Sequence, residues 1–169
     1  MILLRPATLA DAELLRAWRN DPEMRKNSLH SSVVGKREHM CWLRASLKSQ
    51  ARRIYVAEAS FPTGELVSVN VPGRAGPLVN PEFKFTPVGE GRLDFIGKAI
   101  EFDIEVDPEF RGRGYGREIL ETLVVKAREW KHGVPLVAHV KAFNTPSLRT
   151  FLRAGFAVKG KQSLELEMR

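Results

Sequence analysis

A chain of 169 residues with 43% hydrophobic content can bury one sizeable core. Its 27 basic against 20 acidic side chains leave a net charge of +7, which points to an anionic partner. A single cysteine excludes internal disulfides, no Cys/His cluster has metal-site spacing, and no apolar run reaches membrane-spanning length, so a soluble protein without metal or membrane anchor is expected.

Met1-Ile2-Leu3-Leu4 passes directly into Arg5-Pro6 without a signal-peptide pattern, which places the protein in the cytoplasm. Ile2 to Leu4 reads as a short first strand. Thr8 with Asp11 three residues on is a helix start, and Leu9, Ala12, Leu15 and Trp18 or Arg19 follow at helical spacing. Asn20-Asp21-Pro22 ends that helix, with Asp21 capping a new turn and Pro22 in its first position. A polar stretch from Arg25 to Val34 precedes an amphipathic helix over about 36–48, which is expected to bury Met40, Trp42, Leu43 and Leu47. Cys41 on that helix has no histidine at meaningful spacing and reads as packing, and His39 reads as well as a surface residue as a site residue.

Ile54 to Ala59 is the second strand. Residues 61–91 then hold five of the ten prolines and five of the thirteen glycines. Proline at this density interrupts ladders and helices, so an insertion is expected here, serving as a lid or an interface. The third strand falls at Leu66 to Val71 or at Arg92 to Ile96.

Ala99 to Leu120 organises the chain. Ile100, Phe102, Ile104 and Val106 alternate with Glu101, Asp103 and Glu105, the pattern of a half-buried strand with one carboxylate face. Asp107-Pro108 stops it, and Arg111-Gly112-Arg113-Gly114-Tyr115-Gly116 leads into a helix carrying Ile119, Leu120, Leu123, Val124, Ala127 and Trp130. A strand, a glycine-rich basic loop and a helix can form an anion cradle, because N–H groups converge where no Cβ intervenes and the helix N-terminus is partly positive. The plain alternative is a strand–helix turn with solvated arginines. A nucleotide P-loop is excluded, since no Gly-Lys-Ser/Thr follows, and Arg117 stands where a third dinucleotide-fold glycine would fall.

That helix ends at Gly133 with Pro135 beyond. Leu136 to Lys141 is a fifth strand, Asn144-Thr145-Pro146-Ser147 starts a helix with Leu148, Phe151 and Leu152 facing the core, and a closing hairpin follows Gly155.

Arg111-x-x-Gly114-x-Gly116 after a strand ending in Val106 resembles the acyl-CoA signature of the GNAT superfamily of N-acyltransferases. Asn144-x-x-Ser147-x(3)-Phe151-x(3)-Gly155-Phe156 resembles the second signature of that superfamily, with one strand between the two. The resemblance covers residues 92–168 well, the first 60 moderately and 61–91 hardly at all. It implies a single domain over 1–169 with a three-layer α/β/α architecture of the α+β class, in which a mixed, mostly antiparallel sheet splays between its fourth and fifth strands. It implies acetyl-CoA as cosubstrate and no metal. Val106 would contact the pantetheine arm, Arg111, Gly112, Arg113, Gly114, Tyr115, Gly116 and Arg117 the pyrophosphate side, and Asn144, Ser147 and Phe151 the cofactor from the other side.

Acetyl transfer to an amine needs a base, because the amine is protonated at neutral pH. The resemblance ranks Glu101 first, with Asp103, Glu105 and His139 as alternatives and a solvated strand face as the plain reading of each. Many members carry tyrosine at position 151 to protonate the departing thiolate. Phe151 has no proton to give, and Ser147 is the replacement donor in the ribosomal-type subset. Trp18-Arg19-Asn20 with Asp21-Pro22, and His39 with Trp42-Leu43, resemble strings in ribosomal-protein N-terminal acetyltransferases and in acetyltransferases of nucleotide-linked 4-amino sugars. Arg16, Arg19 and Arg25 favour the nucleotide-linked amine over a protein N-terminus. A non-catalytic acyl-CoA binder is a further alternative, and a homodimer is left open. A nucleic-acid module is disfavoured, because the aromatics keep core spacing.

Overall fold

A computed structural model describes residues 2–28, 30–69, 78–159 and 164–168. Strand β1 (Ile2–Pro6) leads to a 3-10 turn at Leu9–Asp11 and helix α1 (Ala12–Asn20). Asp11 fixes this start: its carboxylate accepts from the Thr8 N–H at 2.8 Å and from both terminal nitrogens of Arg5 at 2.7 and 2.9 Å. Helix α2 (Pro22–Asn27) begins at Asp21, whose carboxylate accepts the Met24 N–H at 3.0 Å, and α3 spans Lys36–Lys48. There follow β2 (Arg52–Val69), β3 (Leu78–Ile96), β4 (Ala99–Val106), α4 (Tyr115–Trp130), β5 (Leu136–Val140), α5 (Thr145–Arg153), β6 (Ala157–Val158) and β7 (Leu164–Met168).

The strands form one sheet in the order β1-β2-β3-β4-β5-β7-β6, antiparallel throughout except for the parallel pair β4–β5. Two cores cover its faces. Ile119, Leu120, Leu123 and Ala127 of α4 and Phe151 of α5 pack on Leu93, Ile100, Phe102 and Leu136, while Leu15 and Trp18 of α1 and Leu43 of α3 pack on Ile54 and Val56. Alternation assigns the faces. Gly91, Ile104, Leu93 and Phe102 are cross-strand partners on the α4 side, which sets Glu90, Arg92, Glu101, Asp103 and Glu105 on the side of α1 and α3. The α/β/α architecture of the α+β class is thus present.

Three expectations change. Residues 61–91 are not an irregular insertion as far as they are described: Phe61–Val69 continues β2 and Leu78–Gly91 belongs to β3, so Leu66 to Val69 and Arg92 to Ile96 lie on two successive strands. Residues 70–77 lie outside the described ones. Beyond the reach of β1, which ends its pairing at Ala59, and of β4, which ends at Gly89, the hairpin is a two-stranded ribbon. Each of its strands has one free edge there, and that is where Pro62, Pro81 and Pro87 are accommodated, with register shifts beside Pro62 and Glu58. Leu47 and Leu152, expected in the core, are exposed, because α3 and α5 each bury a stripe narrower than their apolar residues suggest. Trp42 is half-buried beneath the guanidinium groups of Arg52 and Arg92, at 5.6 and 5.9 Å from its ring centre.

Candidate active site

The parallel ladder between β4 and β5 holds only Ile100–Leu136, Glu101–Val137 and Phe102–Ala138. Both strands run on, to Val106 and Val140, without further pairing to each other. Beyond Phe102 and Ala138 the facing edges of the two strands are therefore not paired to each other, the arrangement in which an extended chain can add as a pseudo-strand.

The glycine loop follows the unpaired end of β4. Asp107 accepts the Glu109 N–H at 2.8 Å and starts a 3-10 turn at Pro108–Phe110. The chain then passes through Gly112 (φ 74°) and Gly114 (φ 89°), both in the left-handed region, before α4 begins at Tyr115. No atom stands within 4 Å of where a Cβ at either glycine would point, so ligand oxygens can approach this backbone from outside. At Gly116 a Cβ would touch Val106 Cγ2 at 3.4 Å, which leaves room for nothing larger than alanine. The first N–H groups of a helix have no intrahelical acceptor. Here they and the loop N–H groups supply the donor set that a pyrophosphate requires, and the loop fits that group.

The three arginines of the region differ in their commitments. Arg111 donates through Nε to the Val106 carbonyl at 3.2 Å, through Nη2 to Asp21 at 2.6 Å and through Nη1 to Glu23 at 2.9 Å. It therefore ties the loop to α2, with each of its three nitrogens engaged. Arg117 pairs with Glu121 at 2.7 Å on the exposed face of α4. Arg113 rests over the Phe110 ring at 5.6 Å with no carboxylate partner among the described residues. Tyr115 and Phe61 also pack on Phe110, at 6.0 and 5.9 Å between ring centres, so the ribbon base abuts the loop.

The Trp18-Arg19-Asn20-Asp21 string builds the opposing wall, each residue making at least one bond. Trp18 donates its indole N–H to Asp107 at 2.6 Å. Arg19 donates to the His30 carbonyl. Asn20 clamps Val34 on both sides, accepting its N–H at 2.8 Å and donating to its carbonyl at 2.9 Å. Asp21 holds Arg111. On α3, His39 is buried against Trp42, its ring 5.3 Å away.

The carboxylates on this face are in unlike settings. Glu101, at the closed end of the β4–β5 seam, stands 3.6 Å from His139 Nε2. Asp103 accepts from Arg92 at 2.6 Å. Glu105 is buried and lies opposite buried Glu90 across β3–β4. Burial first, and then the Glu90 and Asp103 charges, push the Glu105 carboxyl up to about 9 against the pull of Arg19 and Arg111. Burial also pushes Glu90 up to about 7, opposed by Arg92 and reinforced by Asp103. Such a pair retains a proton at neutral pH.

At the far side, Asn144 caps α5, its side-chain oxygen accepting the Ser147 N–H at 3.2 Å. Phe151 is in the core, edge-on to Phe156 at 5.1 Å, and Phe156 is edge-on to Phe102 at 5.7 Å. The structure thus brings Val106 and residues 111–117 to one mouth, and sets Asn144 and Ser147 at the start of the helix after β5. Sequence reasoning missed Glu90 altogether. Its only local signal is a lone carboxylate between Gly89 and Gly91, whose missing side chains let Ile119 and Leu123 close against the strand.

Residues 1–157 match the model of the family described as Acetyltransferase (GNAT) domain. The chain belongs to this family. Three solved GNAT-like structures show how far the fold extends. A domain from Methanocaldococcus jannaschii DSM 2661 superposes with a TM-score of 0.74 at 20% identity, covering 99% of this chain and 97% of that one. Spermidine N-acetyltransferase from Vibrio cholerae, in complex with CoA and spermine, gives 0.72 at 15% identity over 98% and 91%. Aminoglycoside acetyltransferase AAC(6')-Ib, in complex with coenzyme A, gives 0.72 at 15% identity over 99% and 94%. A comparison with curated protein sequences gives no match.

This GNAT protein is therefore an acetyl-CoA-dependent acetyltransferase. Among its described residues no group of three or more acidic, histidine or cysteine side chains is placed to hold a metal ion, and no helix is long and apolar enough to cross a membrane.

Proposed function

We propose that this GNAT acetyltransferase transfers an acetyl group from acetyl-CoA directly to the primary amine of a small molecule, both substrates being bound together. The observation that carries the reading is the β4–β5 ladder, which stops after Phe102 and Ala138 beside a glycine loop that leads into a helix N-terminus. The loop N–H groups and Arg113 bind the pyrophosphate, and the backbone of Ile104 with the Val106 N–H, unpaired to β5, orients the arm. The acceptor enters on the face of α1 and α3, where the carboxylates are. Solved structures of the same fold that act on spermidine or bind kanamycin are consistent with a small amine in that place.

For the amine to attack, its ammonium must lose a proton. The N–H bond breaks as an O–H bond forms on a carboxylate, and transfer is least uphill when the carboxyl pKa approaches that of the amine, ordinarily about 10 for an alkylamine. Glu105, pushed up to about 9, meets that condition in its ionised form, the minor form at neutral pH and a growing one as pH rises, while Glu101 beside His139 is the alternative named by family resemblance. Ser147, in the first turn of α5, is the proposed proton donor to the departing thiolate, in the place of the hydroxyl that Phe151 lacks.

A nucleotide-linked amino sugar stays within this proposal on narrower grounds than the sequence suggested. Arg16 is spent on exposed Glu13 at 3.0 Å, which leaves Arg19 and Arg25 for an anionic group. Ribosomal or other protein N-termini are the competing acceptors. A cytoplasmic location belongs to the same proposal. Turnover of acetyl-CoA against a panel of small amines, amino sugars and N-terminal peptides tests it. Acetylation of one small-amine class is the expected result. Acetyl-CoA binding without turnover of any acceptor would leave a non-catalytic binder.

A further inference from the structure

Four buried side-chain atoms have no hydrogen-bond partner among the described residues: Glu105 Oε1, Arg19 Nη1, Arg25 Nε and His39 Nε2. An unpaired buried polar atom costs about 1–3 kcal/mol, and native folds keep few of them. Glu105 is on β4 facing α1 and α3, His39 is on α3, and Arg19 and Arg25 are on α1 and α2. Glu105 is 8% exposed and His39 4%. Arg19 joins them, since its charge acts on both the Glu105 carboxyl and the His39 imidazole. It is also held in place: its Nη2 is fixed to the His30 carbonyl, and Asn20 next to it locks the same loop through Val34.

Trp18, the residue before Arg19, donates to Asp107, two residues after Glu105, so α1 meets the end of β4 here, yet Glu105 Oε1 and Arg19 Nη1 bond neither each other nor anything else described. A carboxyl that keeps its proton does not draw a guanidinium into an ion pair, and each group is anchored separately. Here they are supported apart, Glu105 by the sheet and Arg19 by the loop it carries. A ligand of one sign would satisfy only one of them. A polycation would complete Glu105 and face Arg19 uncompensated, and a simple anion would meet Glu90 and Glu105.

We infer that the acceptor carries an anionic group as well as its amine: Glu105, with Glu90 beside it, receives the ammonium, and Arg19 receives the anion. This rests on the acetyltransferase reading above and narrows its substrate class. The anion is a carboxylate if the acceptor is an amino acid, or a diphosphate if it is a nucleotide-linked amino sugar.

The test is steady-state turnover at saturating acetyl-CoA with L-amino acids, each beside its α-carboxamide, with spermidine, and with UDP as a competitor. Loss of one charged hydrogen-bond partner is worth about 10- to 100-fold in kcat/KM. An amino acid is expected to exceed its carboxamide by that factor, or UDP to compete with the amine and not with acetyl-CoA. The first result assigns a carboxylate and the second a diphosphate. In Arg19→Met the acid-to-carboxamide ratio, or the UDP competition, should collapse, with Arg19→Lys retaining part of it. Acetyl-CoA binding by calorimetry verifies that each variant is folded. Equal turnover of acids and carboxamides without UDP competition, or a preference for spermidine, overturns the inference and leaves the acetyltransferase reading standing. No turnover of any amine, with acetyl-CoA bound, overturns both.

Discussion

Arg111 of the glycine loop donates to Asp21, 90 residues earlier in the chain, at 2.6 Å, and the same carboxylate caps α2 through the Met24 N–H. The glycine loop and the α1–α2 segment therefore share one ion pair. Arg111→Ala strands a half-buried carboxylate and should lower stability by about 1–3 kcal/mol in urea unfolding. The salt dependence of acetyl-CoA binding should then follow Arg113, whose guanidinium has no carboxylate partner among the described residues, and shift more in Arg113→Ala than in Arg111→Ala. Titrations of both variants across a salt series check this, and the reverse order would return the phosphate contact to Arg111.

The loop glycines should separate by φ. Gly114 at φ 89° is in a region that costs a residue bearing Cβ about 1–2 kcal/mol, and a branched side chain would also stand where phosphate oxygens approach. Gly114→Val should weaken acetyl-CoA binding at least about 10-fold while the protein stays folded, since 1.4 kcal/mol is a factor of ten. Gly116→Ala, whose new methyl makes an ordinary contact with Val106, should stay within about threefold of wild type by the same arithmetic. Calorimetry on the two variants gives the comparison directly.

The Glu90–Glu105 pair predicts how stability depends on pH. Both carboxyls have raised folded-state values, about 7 and about 9, from an ordinary 4.5. The folded protein then holds protons that the unfolded chain has released, so this contribution is fully present below about pH 4.5. It falls as pH rises through 7 and toward 9, by up to about 1.4 kcal/mol per pH unit for each group. Glu105→Gln should flatten the decline and be more stable than wild type at pH 8. Urea midpoints from pH 5 to 9 measure it, and a wild-type curve that rises over that range would sink the idea.

The same carboxyls should part in kinetics. If Glu105 accepts the ammonium proton, Glu105→Gln should depress kcat/KM about 100-fold or more and abolish the rise of kcat/KM with pH that ionisation of Glu105 produces, with acetyl-CoA affinity unchanged. Glu101→Gln should then act more mildly, by loosening the contact with His139. A large loss in Glu101→Gln with a near-normal Glu105→Gln would assign the base to the closed end of the seam instead.

What the sequence determined by itself was local. The alternation of Ile100, Phe102, Ile104 and Val106 gave β4 and its carboxylate face, Thr8 with Asp11 and Asp21 with Pro22 gave two helix starts, and the glycines before Tyr115 gave the loop that enters α4. Each depends on residues within a turn or two of one another, and periodicity and capping report that range faithfully. The tertiary structure decided what depends on which strands become neighbours. The prolines of 61–91 argued against strands, but they lie where β2 and β3 have outrun β1 and β4, and a strand with one free edge loses no ladder bond to proline when its nitrogen faces outward. That Arg111 ties its loop to Asp21 could not be read in advance, because the two are remote in sequence and adjacent in space. Glu105 read as an alternative behind Glu101 until the β3–β4 register set Glu90 opposite it. Register and burial fix which charges are compensated, and both are properties of the assembled sheet, since the electrostatic environment of a side chain is made by its spatial neighbours and not by its sequence neighbours.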